Sequence, residues 1–184
     1  MPSEEQHLNR SFFPDRPSRA SDGSWWLAAW LPAMLAVAVI CVESTQTFGA
    51  ENTSNWLRPI FERAFGHFQD ANWEQLHHYL RKTGHFLGYG TVGLTFLRAW
   101  LCTLGRRTQP SLRAWRVRAT LLAIACTALV ASGDEFHQSF LANRTGVPSD
   151  VLLDTCGACV LCFLVWLVRF RRPPRGSEPL PADD

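Results

Sequence analysis

The sequence predicts an all-α membrane fold: a four-helix transmembrane bundle with both termini cytoplasmic and short interfacial helices in the first outer connection. Three observations predict it. Although the mean hydropathy is only −0.06, apolar residues gather in four runs, 25–42, 84–104, 117–133 and 151–170, each near the length that crosses a bilayer. The cations are distributed unevenly: the N-terminal tail holds three (Arg10, Arg16, Arg19), the 105–118 connection five and the C-terminal tail four, while the other two connections share Arg58, Arg63, Arg81, Lys82 and Arg144. By the positive-inside rule this places both termini in the cytoplasm with four spans between them. Finally, the polar side chains at span ends gather on the opposite, outward side.

Residues 1–24 read as a disordered cytoplasmic tail, since the chain start is polar and no apolar core follows promptly. The first span opens on Trp25 and Trp26, which suit the interface, and Pro32 is expected to bend it. The connection 43–83 is amphipathic, and Pro59–Ile60–Phe61 and Trp73–Glu74–Gln75–Leu76 predict short helices in the headgroup region. His77 and His78 are expected to be solvated or interfacial, without a role. In the second span Gly84 and Gly88 form a small-xxx-small pattern that permits close helix approach, and Arg98 is placed to snorkel to the interface. A basic connection, 105–118, leads to a short third span ending at Asp134, and Ser149 or Asp150 is expected to cap the fourth. The spanning domain is 25–170, and 171–184 is a second disordered cytoplasmic tail.

Composition excludes several function classes. A net charge of +2 is too small for a nucleic-acid binder. All six cysteines lie in apolar runs, against a disulfide framework and in favour of buried small residues. The CxxCxxC run of Cys156, Cys159 and Cys162 spreads around a helix instead of converging on a metal.

The chemistry concentrates between Gly133 and Gly157. Asp134 and Gln138 are four apart, as are Asp150 and Asp154, so each pair shares a helix face. His85 and Tyr89 repeat that spacing at the mouth of the second span, with Lys82 three residues before His85. A simpler account has these residues capping helix ends. Asp154 weighs against it, because it lies one turn inside a span, where an ionisable group costs several kcal/mol unless paired. Its candidate partners are Arg144, Lys82 and His85. The cluster offers acids, a base and a cationic clamp, but no nucleophile elbow, phosphate loop or HExxH pair. A metal site from His85, His137, Asp134 and Glu135 is the lesser alternative, and no cofactor is expected.

Taken together, Arg81-Lys82-Thr83-Gly84-His85-Phe86-Leu87-Gly88-Tyr89, Asp134-Glu135-Phe136-His137-Gln138-Ser139-Phe140, Arg144-Thr145-Gly146 and Asp150-Val151-Leu152-Leu153-Asp154-Thr155-Cys156-Gly157 resemble the signatures of the VanZ-like family of bacterial membrane proteins. One position departs from the pattern: Asp154 stands where the family commonly has Asn. The resemblance implies a multi-pass protein of the bacterial cytoplasmic membrane, of the kind associated with low-level teicoplanin resistance. Two functions are expected from it. In the first, an outward pocket of Lys82, His85, Tyr89, Asp134, Glu135, Gln138, Arg144, Asp150 and Asp154 binds a lipid-linked or glycopeptide-like amphiphile, the partners being the bilayer and that amphiphile. In the second, a membrane-embedded enzyme uses His85 as base and Asp134 or Glu135 as acid or orienter on a lipid or cell-wall precursor.

Overall fold

The computed structural model describes residues 22–105, 111–141 and 146–170, and among them there are helices and turns but no strand. Five α-helices follow in order: α1 (Asp22–Glu43), α2 (Ala50–Phe65), α3 (Asp70–Gly105), α4 (Leu112–Gln138) and α5 (Pro148–Val165). A 3-10 turn at Gln46–Phe48 precedes α2, and a π turn at Trp166–Phe170 follows α5. Three stretches are long and apolar enough to cross a membrane: Gly23–Glu43, Leu112–Gln138 and Pro148–Arg169. The expected tails lie outside the described residues, except that α1 begins inside the first of them.

Pro32 sits within α1 without ending it. A proline has no N–H, so the carbonyl four residues earlier, that of Ala28, loses its helical donor. Arg98 of α3 supplies one: its Nη1 donates to the Ala28 oxygen at 3.0 Å and to that of Ala29 at 2.9 Å. The expected snorkelling arginine is therefore a crosslink between α1 and α3. Trp30 adds a second, donating through Nε1 to Thr103 at 3.0 Å.

The first connection differs from the expected pair of short helices. Pro59–Phe61 falls inside the 16-residue α2, whereas Trp73–Leu76 is continuous with α3. At 36 residues, α3 is about 54 Å long at ~1.5 Å per residue, well beyond one bilayer core. Gly66, at φ 88°, ends α2 in a backbone region that side chains avoid. His77, expected to be solvated or interfacial, is buried: its ring stacks on Trp73 with centroids 5.7 Å apart and hydrogen-bonds the Thr53 hydroxyl at 3.1 Å. Trp73 Nε1 donates to Ser54 at 2.7 Å, so two polar contacts fasten α2 along the start of α3.

Helix α3 lies at the centre, packed on α1, α4 and α5. It runs parallel to α5, since Lys82 meets Asp150 while Gly93 meets Ala158. It runs antiparallel to α4, where Tyr89 meets Asp134 and Leu101 meets Trp115. The close approach is made by glycines other than those expected. Gly84 faces open space and Gly88 only reaches Ile40, but a Cβ on Gly90 would sit 2.6 Å from Leu161 and one on Gly93 2.7 Å from Ala158. One on Gly157 would run into the Phe86 carbonyl. Around this seam the core is built from Leu97, Leu101, Ala119, Ala123 and Cys162 at one end and Ile40, Tyr89, Val92 and Ala131 at the other. Small residues at these positions allow dense packing where lipid supplies no hydrophobic drive.

Local signals set the remaining boundaries. Ser111 caps α4 by accepting from the Ala114 amide at 3.1 Å, so Arg113, Arg116 and Arg118 belong to the helix and not to a long connection. Neither Ser149 nor Asp150 caps α5. The cap is Val147 without a side-chain bond, and Pro148 starts the helix, where its missing N–H costs nothing. The six thiols are free. Cys102 is buried and Cys41 exposed; on α5 Cys162 is buried but Cys156 and Cys159 are exposed, because a three-residue repeat rotates around the helix.

Candidate functional site

Helix α4 does not stop at Asp134 but continues to Gln138, which keeps Asp134 and Gln138 on one face. Opposite them, α3 presents Lys82, His85 and Tyr89 on a stripe of three- and four-residue steps. The parallel packing of α3 with α5 brings Asp150 and Asp154 to the same level. The end of α1 closes the group with Ile40, Glu43 and Ser44.

Asp134 is the hub. Its Oδ2 accepts from the Tyr89 hydroxyl at 2.8 Å and from Gln138 Nε2 at 3.0 Å. Gln138 Nε2 also donates to the Ser44 hydroxyl oxygen at 3.4 Å, tying α4 to α1. Tyr89 is completely buried, and its ring stacks with that of His85 at a centroid distance of 6.2 Å. These side chains surround a cavity of about 20 Å³ lined by Ile40, Glu43, Ser44, His85, Tyr89, Asp134 and Gln138. That volume holds about one water molecule.

Asp154 lies behind His85. It is 0% exposed, and neither carboxylate oxygen has a hydrogen-bond partner among the described residues. The nearest cationic atom is His85 Nδ1, 3.6 Å from Oδ1, just outside hydrogen-bond reach. Of its expected partners, Lys82 is engaged elsewhere, in an ion pair with Asp150, and Arg144 falls outside the described residues.

Four of the expected site residues, His85, Tyr89, Asp134 and Gln138, thus line one cavity. Lys82, Asp150 and Asp154 flank it. Glu135 turns aside: its Oε2 accepts from the Val147 amide at 2.8 Å and holds the start of α5 against the end of α4. Gly146 makes that crossing possible, since a Cβ there would collide with the Glu135 carbonyl. Among the described residues no three His, Cys, Asp or Glu side chains converge as a metal site, and His137 is exposed. The sequence reading missed Ile40, Glu43 and Ser44. Their signal was a polar pair directly after an apolar run, the same pattern that marked Asp134 and Glu135. Helix capping does not account for the group, because α5 has no side-chain cap and Asp154 lies beyond its first turn.

Comparison with known proteins gives one match: the family model described as VanZ/LLP1 covers residues 29–169. No curated protein and no solved structure matches the chain.

Proposed function

The chain belongs to the VanZ/LLP1 family, and from this premise we propose that it binds a lipid-linked or glycopeptide-like amphiphile in an outward polar pocket. Through that binding it contributes to tolerance of envelope-directed antibiotics such as teicoplanin. The observation that carries the reading is the cavity where side chains of α1, α3 and α4 meet, with α5 alongside. A cavity of about 20 Å³ admits only the tip of a head group, so the remainder of an amphiphile lies along the protein with its tails in the bilayer.

In this reading residues 25–170 form one domain of four spans in the bacterial cytoplasmic membrane, flanked by two cytoplasmic tails. Three helices are apolar enough to cross, and the fourth span is the 84–104 part of α3. Its glycines, threonines and Arg98 are compatible with lipid because α1, α4 and α5 cover much of it. The alternating directions of α3, α4 and α5 and the distribution of arginines support cytoplasmic termini and an outward cavity. Helix α2, with Trp56 and Ile60 exposed, then lies in the outer headgroup region.

One observation favours an enzymatic reading: His85 stands between the cavity and a buried carboxylate, as a general base with its orienter does. The orienting carboxylate in that scheme is Asp154, since Asp134 serves Tyr89 and Gln138 while Glu135 serves Val147. A cavity the size of one water leaves no room for both a scissile bond and a nucleophile, so binding is the stronger reading. Teicoplanin susceptibility of a sensitive bacterium tests it. Wild-type protein is expected to raise the inhibitory concentration and an Asp134→Ala, Arg144→Ala double variant to abolish the rise; equal susceptibility with both counts against the proposal.

A further inference from the structure

We infer that the group received by the cavity is a primary ammonium, on an amphiphile or a lipid, and not a phosphate or a quaternary ammonium. This rests on the binding reading above and specifies the chemistry that the site selects.

The hydrogen-bond pattern carries the inference. Gln138 is only 5% exposed and lines the cavity. Its amide orientation is fixed by chemistry, because the atom facing the Asp134 carboxylate must be a donor. The other atom, Oε1, accepts no hydrogen bond from the described residues, although Nε2 makes two. Asp134 is similar: Oδ2 accepts from both Tyr89 and Gln138, while Oδ1 accepts from neither. Two wall donors, the Tyr89 hydroxyl and the Gln138 amide, thereby converge on one carboxylate oxygen, and among the described residues the acceptors Gln138 Oε1 and Asp134 Oδ1 face the lining without a donor. Glu43 and Ser44 complete the polar part of the lining.

Charge points the same way. Asp134 lines the cavity together with the His85 imidazole, Asp154 lies buried behind His85, and the ammonium of Lys82 is paired with Asp150. An anionic head group would need several donors and would meet these carboxylates instead. A primary ammonium brings three donors and a positive charge in a volume close to that of a water molecule, which matches about 20 Å³. A trimethylammonium has no N–H donors to offer these acceptors.

Native mass spectrometry of the full-length protein in detergent tests this with two head-group series. The first uses phosphatidylethanolamine, phosphatidylcholine and phosphatidylglycerol with identical acyl chains; the second uses dodecylammonium and dodecyltrimethylammonium. The primary ammonium compound is expected to bind at least about tenfold tighter than its trimethyl counterpart, as charge-assisted hydrogen bonds at a desolvated site imply. Preference in both series identifies the amine alone as the determinant, and preference in the lipid series alone identifies the ethanolamine lipid as its source. Asp134→Asn and, independently, Gln138→Met are expected to bring the two affinities together. Saturable binding with equal affinity for primary and trimethyl forms, or with preference for phosphatidylglycerol, overturns the ammonium inference and leaves amphiphile binding standing. If no amphiphile binds saturably, the binding reading falls as well.

Discussion

The cluster that fastens α2 to α3 and the cluster at the converging helix ends use the same side-chain types with opposite outcomes. In the first, Arg58 donates to Glu62 at 3.0 Å and to the Phe68 carbonyl at 2.9 Å, and pairs with Asp70 at 2.8 Å. Its side chains are about 29%, 28% and 85% exposed in that order, so water screens them and completes their hydrogen bonds. In the second, Asp154 is sealed from water with neither oxygen hydrogen-bonded among the described residues, and the hydrogen bonds of Asp134 and Gln138 among them use only one oxygen of the carboxylate and the amide nitrogen. Exposed pairs of the first kind contribute little and constrain little, whereas an unfilled buried acceptor carries a cost that persists unless something serves it. The contrast locates function where burial and incomplete pairing coincide.

The sharpest way to break this contrast is to remove the imidazole beside Asp154. His85→Ala is expected to destabilise the protein by roughly 1–3 kcal/mol, the cost of leaving a buried polar group without its neighbour, measured as thermal unfolding in detergent. Adding Asp154→Asn is expected to restore most of the loss, and Asp154→Asn alone to be tolerated or stabilising. If the double variant is no better than His85→Ala, or if Asp154→Asn alone stops membrane accumulation, the carboxylate is required in its charged form.

Packing around the buried cluster gives the next effect. Gly157→Ala places a methyl against the Phe86 carbonyl and is expected to cost about 1–3 kcal/mol through strain between α3 and α5. Gly84→Ala faces open space and should leave unfolding unchanged, so equal effects of the two would contradict the packing described.

The α2–α3 contact, where the buried His77 adjoins the exposed Arg58 group, should respond to pH and only weakly to mutation. Burial, with Arg81 beside it, holds His77 below its ordinary value of 6.5. The unfolded chain therefore binds the proton more readily, so this contribution is complete above pH 6.5 and is lost as pH falls toward the lower folded value. The hydrogen bond from Arg58 holds Glu62 below 4.5, so its contribution is present above that pH and fades as pH falls further. Hydrogen exchange across residues 50–65 is expected to accelerate first below about pH 6.5, and His77→Gln to remove that step. Arg58→Ala is the smallest effect, speeding exchange locally without lowering the global unfolding temperature.

Much of this was legible in the sequence because membrane helices are specified by composition and length. The all-helical class, three apolar stretches long enough to cross a membrane and the helical face shared by Asp134 and Gln138 followed from runs and spacing alone. What the sequence hid depends on neighbours that periodicity does not identify. Arg98 reads as an interfacial cation until Pro32 is seen to leave a carbonyl without a donor on the facing helix. Gly84 and Gly88 match a packing pattern, yet the seam with α5 falls half a turn further on, at Gly90 and Gly93. Asp154 could be recognised as needing a partner, but which of three cations served it required the relative heights of α3 and α5. Ser44 and Glu43 were read as the start of a connection because nothing in their own helix indicates that Gln138 lies opposite.

The account stands on the helix ends meeting on the outer side of the membrane. Lys82→Cys combined with Asp150→Cys, in a variant whose six native cysteines are replaced, tests both parts at once in intact cells. Because the two native side chains are in contact, a disulfide is expected to form when a membrane-impermeant oxidant is added outside. Labelling of the Lys82→Cys position from outside and of the Asp150→Cys position only after the cells are opened, with no crosslink, would contradict the account.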